Sequence, residues 1–446
     1  MSEIITLTVC LAAYLSKTQL KQLQHIVLAL LSMTGRVTML GLSRWTEAGG
    51  GSYRTIQRWF QTALDWGLLL WAVIRTHLLD PNGVYLLAGD DVVVSKAGKK
   101  THGVGRFYSS IAGRPIPGLS FLALSLIDVG QRRSYPVAIA QHVAAPKAGK
   151  AAKSAENGTP TTKRERGRPK GSKNHARTAP TLSTDLTLLQ SQLGLVLKRI
   201  APLPIKHLVL DGFFGTYPAS WLVRDCGLHL ISKLHHNAAL YFPYTGPKPK
   251  RGPTPRYGDK LDYKALPEHA RCSSVTEGRS VIDLYQMTVW HKDFSDPLNI
   301  VVLVKTDTRT HKASHVVLFS TDLSLAAAQL VDYYSLRFQI EFNFRDAKQY
   351  WGLEDFMNVS DVAVTNAVNL AFLMVNLSAV LLRAHRQQHP DFSVIDLKSH
   401  FRARRYLREV IKSLPDFPTS DFILLLGRRL AALGGIRLLT DFQDAA

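Results

Sequence analysis

Tyr334, Arg337, Glu341 and Lys348 follow one another at intervals of three, four and seven residues. On a helix turning about 100° per residue they fall at roughly 0°, 300°, 340° and 320°, so one face of ~60° carries a phenol, a guanidinium, a carboxylate and an ammonium. A solvated charged face would share that pattern. Two aspartates make a second reading available, because each directly follows an apolar run: Asp90 comes after residues 84–88, and Asp211 after 207–210. Three carboxylates brought from two strand ends and a helix form an oxygen-donor set suited to two hard divalent cations, with positions left open for phosphate and water. The chemistry such a set would serve is in-line displacement at a phosphodiester, in which one cation activates the attacking oxygen and the other stabilises the leaving one.

Both aspartates have alternatives. Asp90 and Asp91 are adjacent and point to opposite sides of a strand, so only one of them can face the cations. Asp211 precedes Gly212, a pair that also occurs as a plain strand-end turn.

The spacing Y-x2-R-x3-E-x6-K, here Tyr334-Ser-Leu-Arg337-Phe-Gln-Ile-Glu341 continuing to Lys348, resembles the signature of the insertion-sequence-four superfamily of DDE transposases. The order of features over residues 84–356 resembles that superfamily as well: a strand ending at Asp90, a second ending at Asp211 in Leu208-Val-Leu-Asp-Gly-Phe-Phe-Gly215, a β-rich stretch, then the glutamate helix. The resemblance implies catalysis and metal binding by Asp90, Asp211 and Glu341, and it favours Asp90 over Asp91 because the family's first carboxylate stands directly at the strand end. It implies Mg²⁺ as the cofactor, with Mn²⁺ able to substitute. Tyr334, Arg337 and Lys348 should touch DNA phosphates near the cut. It further implies cut-and-paste transposition, with transposon ends bound, cleaved and joined to target DNA by a homodimer in the synaptic complex. In members with the β-rich stretch an aromatic there holds a flipped base; Trp290 is the candidate, against a plain core role. A nuclease without strand transfer and an inactive captured DNA-binding protein are the rival readings.

The elements that would position these groups are legible from periodicity. Residues 1–80 read as helical, and within them a helix over 38–47, a glycine turn and a second helix over 53–66 form a helix-turn-helix candidate presenting Arg54 and Arg58 to DNA. Ordinary helical packing would look similar. The pattern then turns strand-like at 84–88 and 92–94, 119–129 and 134–140. A helix over 182–199, a strand over 207–210, a helix over 218–225 and a strand over 228–234 follow. That order is the ribonuclease H topology, giving an α/β class: a ribonuclease H-like catalytic domain interrupted by a β-rich insertion, with helical N- and C-terminal regions. The expected divisions are a DNA-binding region over 1–80, the first part of the core over 81–234 with a flexible basic loop at 143–180, the insertion over 235–323, the catalytic helix segment over 324–356, and a helical region over 357–446. The catalytic helix itself is expected as one piece over 326–350.

Charge agrees with a nucleic-acid partner. The 446 residues include 55 Lys and Arg against 34 Asp and Glu, a net charge of +21. Double-stranded DNA is the expected partner. Inside the basic loop, Arg166-Gly167-Arg168-Pro169 resembles an AT-hook, whose two arginines lie along a narrow minor groove; a nonspecific basic tether is the alternative. The three cysteines, Cys10, Cys226 and Cys272, have no paired spacing that would suit a zinc ribbon or a disulfide framework. No secretory signal or membrane span is expected, since the longest apolar run, 362–382, is broken by Asn366, Asn369 and Asn376. A cytoplasmic, nucleoid-associated enzyme is the corresponding expectation.

Overall fold

A computed structural model describes residues 2–46, 50–109, 112–143, 179–250, 252–412, 414 and 419–432. Five helices come first: α1 (Ser2–Thr8), α2 (Lys17–Ser32), α3 (Met39–Trp45), α4 (Tyr53–Phe60) and α5 (Trp66–Val73). Strands β1 (Tyr85–Ser95), β2 (Gly105–Ser109), β3 (Arg114–Asp128) and β4 (Arg133–His142) follow. β3 runs antiparallel to β1 and β4, and its first residues pair with β2. After α6 (Thr184–Arg199) the chain returns as β5 (His207–Leu210), parallel to β1, and after α7 (Tyr217–Asp225) as β6 (His229–Leu234), parallel to β5. The central order is therefore β4-β3-β1-β5-β6, in a mixed α/β fold.

β1 is one continuous strand that runs on to Ser95, past Asp90 where it was expected to end. The strand passes because Gly89 lacks a side chain: a Cβ there would lie 2.8 Å from Leu210 Cδ2 and 3.1 Å from Leu124 Cδ2. Alternation along β1 sends Leu86 and Ala88 into one buried cluster, shared with Val209 and Ile231, and Leu87 into another, shared with Leu208, Leu210 and the apolar stripes of α6 and α7. Sequence reasoning missed β2, whose five residues have no buried side chain.

The segment expected as an insertion carries β7 (Leu240–Pro243), β8 (Tyr257–Lys260), β9 (Arg271–Glu277), β10 (Ser280–His291), β11 (Leu298–Asp307) and β12 (Ala313–Ser320). β12 pairs antiparallel with β6, so these strands extend the central sheet. Next come α8 (Ala327–Leu336) and α9 (Gln339–Tyr350), two helices where one was expected. At the junction the ladder tightens to bonds three residues apart, Arg337 N to Tyr334 O at 3.2 Å, Ile340 N to Arg337 O at 3.0 Å and Glu341 N to Phe338 O at 3.1 Å. The chain closes with α10 (Asp361–Arg386), α11 (Val394–Lys412) and α12 (Ser420–Ala432).

α10 is the one helix among the described residues long and apolar enough to cross a membrane, and most of it is buried inside the fold. It is the spine of a cluster joining α2, α4, α5, α9 and α11 to Val92 and Val94 of β1. Its apolar residues fill that cluster, and its asparagines bond to groups inside it. Asn366 accepts from Trp66 Nε1 at 2.7 Å and donates to the carbonyls of Phe60 and Thr62 at 2.7 and 2.8 Å, while Asn376 donates to Pro136 O at 3.0 Å. That arrangement explains why the second helix of the expected helix-turn-helix stops at Phe60 rather than running to 66. Asn366 takes up carbonyls at its end, and Asp65 caps a new helix by accepting from Leu68 N at 3.1 Å.

Candidate active site

Asp90 sits in the middle of β1, and the register Gly89 to Leu210 places Asp211, one residue beyond β5, beside it on the neighbouring strand. Asp211 caps a short turn over Gly212–Phe214, accepting from Phe213 N at 3.0 Å, and its carbonyl accepts from Ser232 Oγ at 2.6 Å. The turn is pressed onto β6: a Cβ on Gly215 would stand 2.4 Å from Lys233 O, so only glycine permits the approach.

Asp90 continues the file of Leu86 and Ala88, the face over which α8 packs. Arg337, at the α8–α9 junction, places Nη1 2.6 Å from Asp90 Oδ2 and Nη2 3.3 Å from Glu341 Oε1, in the first turn of α9. One guanidinium thus ties two of the three expected carboxylates together. Burial pushes the Asp90 carboxyl up to about 6, with Asp211 adding to the rise and Arg337 opposing it. Burial works against the Arg337 charge too, but Asp90, Tyr334, Glu341 and Asp211 together hold its pKa above the ordinary value. Burial raises the Tyr334 phenol, which lies beside Arg337.

Lys348 reaches back to β1, donating to Val93 O at 3.1 Å and lying 3.2 Å from Glu354 Oε1. Arg337 and Lys348 reach β1 directly, and Glu341 and Tyr334 are joined to it through Arg337, despite the helix break. Asp91 is on the other side, where His142 Nε2 is 2.9 Å from it and His142 Nδ1 is 3.2 Å from Asp185. Of the two adjacent aspartates, Asp90 is the one brought to Arg337 and Asp211.

Among the described residues no group of three or more His, Cys, Asp and Glu side chains is gathered closely enough to enclose a metal ion. Arg337 stands between Asp90 and Glu341 as their counter-charge. The donor set still fits a divalent cation in kind: its oxygens are hard, and Asp90 is a largely buried carboxyl whose ionised form lacks compensating positive charge even beside Arg337.

Other expected residues fall elsewhere. Arg54 and Arg58 are exposed on α4, whose Ile56, Trp59 and Phe60 are buried. Trp290 is half-buried at the end of β10 with the Arg256 guanidinium 4.2 Å above its ring. Arg166 and Arg168 lie outside the described residues. Sequence reasoning missed Lys96, three strand periods beyond Asp90 on the same face. It donates to Glu354 O and Phe356 O at 3.0 and 2.8 Å, and burial lowers its pKa to about 8. Its parity with Asp90 was the available signal. Phe213, 67% exposed beside Asp211, was missed as well.

Residues 10–291 match the family described as DDE superfamily endonuclease. The chain belongs to that family. No curated protein matches it. The match takes in Asp90 and Asp211 and ends before Glu341. As a DDE superfamily endonuclease the chain has nuclease-type activity, with DNA as its partner and divalent metal ions as the cofactors typical of the family. Asp90 on β1 and Asp211, one residue beyond β5, are the carboxylates of the candidate site that lie inside the family match.

Proposed function

We propose that this DDE endonuclease is a transposase of the insertion-sequence-four type, cutting at transposon ends and joining the freed 3′ hydroxyl to target DNA. The observation that carries the proposal is the Arg337 bridge: it links Asp90 on β1 to Glu341 on α9, with Asp211 next to Asp90, and all of its members belong to the motif set. The order β4-β3-β1-β5-β6, with β1, β5 and β6 parallel, supports a ribonuclease H-like core, and β7–β12 between β6 and α8 support an insertion. The boundaries proposed are 1–80 for DNA binding, 81–234 and 324–356 for the core, 235–323 for the insertion and 357–446 for the helical end.

In this reading Asp90, Asp211 and Glu341 would hold Mg²⁺ or Mn²⁺, which would activate the attacking oxygen and stabilise the leaving group. The chain's own groups do the rest. Arg337 keeps Asp90 and Glu341 together before DNA arrives, and its fork can also pair with a phosphate. Lys348, held toward β1, and Tyr334 flank the same face. Arg54 and Arg58 contribute to end binding from α4, and Arg166 and Arg168 strengthen binding to AT-rich duplex. A homodimer brings two ends together. Trp290, already covered by Arg256, can hold an extruded base only if that guanidinium moves.

The test is a cleavage and strand-transfer assay on duplexes carrying the element's terminal repeats. Mg²⁺ or Mn²⁺ should support both steps, Ca²⁺ should permit binding without turnover, and excess EDTA should stop cleavage. Cleavage without joining would leave a nuclease only, and full activity in EDTA would sink the metal-dependent reading.

A further inference from the structure

On the side of α9 turned away from the carboxylates, a cleft of about 700 Å³ is framed by the β3–β4 turn, α9 and α10. Five arginines line it: Arg132 and Arg133 from the turn, Arg345 from α9, Arg383 and Arg386 from α10. Asp346 is the acidic residue among its described lining. Burial raises the Asp346 carboxyl, and Arg345, Arg133 and Arg386 act on it in opposition, so guanidiniums from all three walls converge there. Arg383 is braced by neutral groups, donating to His77 O at 3.2 Å and Gln131 Oε1 at 3.0 Å. Arg132 pairs with Asp332 at 2.7 Å.

Asp346 lies 3.0 Å from Arg345 and Asp332 lies 2.7 Å from Arg132, so two carboxylates face five guanidiniums at the cleft, and the excess of positive charge favours an anion there. Planar guanidiniums offered from several directions match the oxygens of a phosphodiester backbone better than a single compact anion. The cleft also adjoins the candidate active site. Arg345 lies one helical turn beyond Glu341, with its guanidinium 4.8 Å from the centre of the exposed Phe342 ring.

We infer that this arginine cleft is a second DNA site, gripping the backbone of a duplex segment on the far side of α9 from Asp90, Asp211 and Glu341. The inference rests on DNA being the substrate proposed above and adds where a second stretch of it runs. α9 would then lie between two DNA segments.

The test uses the full chain and a duplex oligonucleotide long enough to pass both sides of α9. Equilibrium binding is measured in EDTA across a range of salt. Arg133→Gln with Arg345→Gln is chosen because both side chains are exposed and neither braces α10. Lys198→Gln with Lys206→Gln, at the end of α6 and the start of β5, removes the same charge remote from the cleft. Each lost phosphate contact lowers the slope of log K against log salt by roughly 0.9, so the cleft pair should lower it by nearly two and the control pair by nearly none. Cleavage at saturating protein should stay within about threefold, as neither arginine touches a carboxylate of the site. An unchanged slope, or an equal loss in both pairs, would overturn the inference while leaving metal-dependent cleavage by the wild type as separate support for the transposase reading. A slope that falls as expected in a chain that does not cleave would sustain the cleft and remove that reading.

Discussion

Arg337 Nη1 lies 2.6 Å from Asp90 Oδ2 across elements far apart in the chain, and the same guanidinium lies 3.3 Å from Glu341 Oε1. The two arms differ in weight. Arg337 and Asp90 are 17% and 19% exposed in their side chains, whereas Glu341 is 41% exposed and its arm is screened by solvent. Stability should therefore depend on the Asp90 arm.

Replacing Arg337 with Gln leaves a largely buried carboxylate beside Asp211 without its cation, at an expected cost of about 2–3 kcal/mol, somewhat below the loss seen on breaking a fully buried pair. Asp90→Asn should gain more in the Arg337→Gln background than in the wild type, because the charge it removes is then stranded. Urea unfolding of the two single variants and the double variant measures the coupling. A double variant whose change equals the sum of the two single changes would mean that the contact carries no energy.

The raised pKa of Asp90 fixes a pH window. At about 6 against an ordinary 3.8, the folded chain binds the proton more tightly than the unfolded chain does. Below pH 4 the group is neutral in both states and costs nothing. The penalty grows as the pH rises through the interval and is complete above 6, reaching ~3 kcal/mol at most at about 1.4 kcal/mol per unit. In EDTA, Asp90→Asn should therefore be more stable than the wild type by about 1–3 kcal/mol at pH 7.5, with the difference closing toward pH 4. A gain that does not vary with pH would contradict the burial of this charge.

Gly215→Ala tests whether the turn after β5 positions Asp211. The added carbon would meet Lys233 O at 2.4 Å, and backbone is slow to yield. A loss of about 1–3 kcal/mol is expected, with a fall in cleavage larger than the stability loss explains, because the displaced turn carries Asp211. Thermal melts alongside cleavage rates decide this. Normal rates in a destabilised protein would make the contact purely structural.

Much of the site could be read before the fold was seen, because the signals are local. Apolar runs ending in Asp90 and Asp211 became β1 and β5, and Tyr334, Arg337, Glu341 and Lys348 do share a side. The misread features were decided by distant partners. The strand expected to end at Asp90 instead runs on to Ser95, passing between Leu210 and Leu124 where Gly89 has no side chain to meet them. α4 ends at Phe60 where Asn366, on α10, takes the carbonyls of Phe60 and, just beyond the helix, Thr62. The faces of Asp90 and Asp91 were left open by the residues alone, and they separate through Arg337 on one side and His142 with Asp185 on the other.

The most direct measurement compares metal-dependent cleavage of end-bearing DNA by Asp90→Asn, Asp211→Asn, Glu341→Gln and, as the internal control, Asp91→Asn. The three expected ligands should each lose at least about a thousandfold in rate while binding DNA nearly as well as the wild type, since a metal ligand rather than a DNA contact is removed. Asp91→Asn, whose side chain meets His142, should stay within about tenfold. Normal cleavage by any of the three, or an inactive Asp91→Asn beside an active Asp90→Asn, would contradict the assignment of Asp90, Asp211 and Glu341 as the catalytic set.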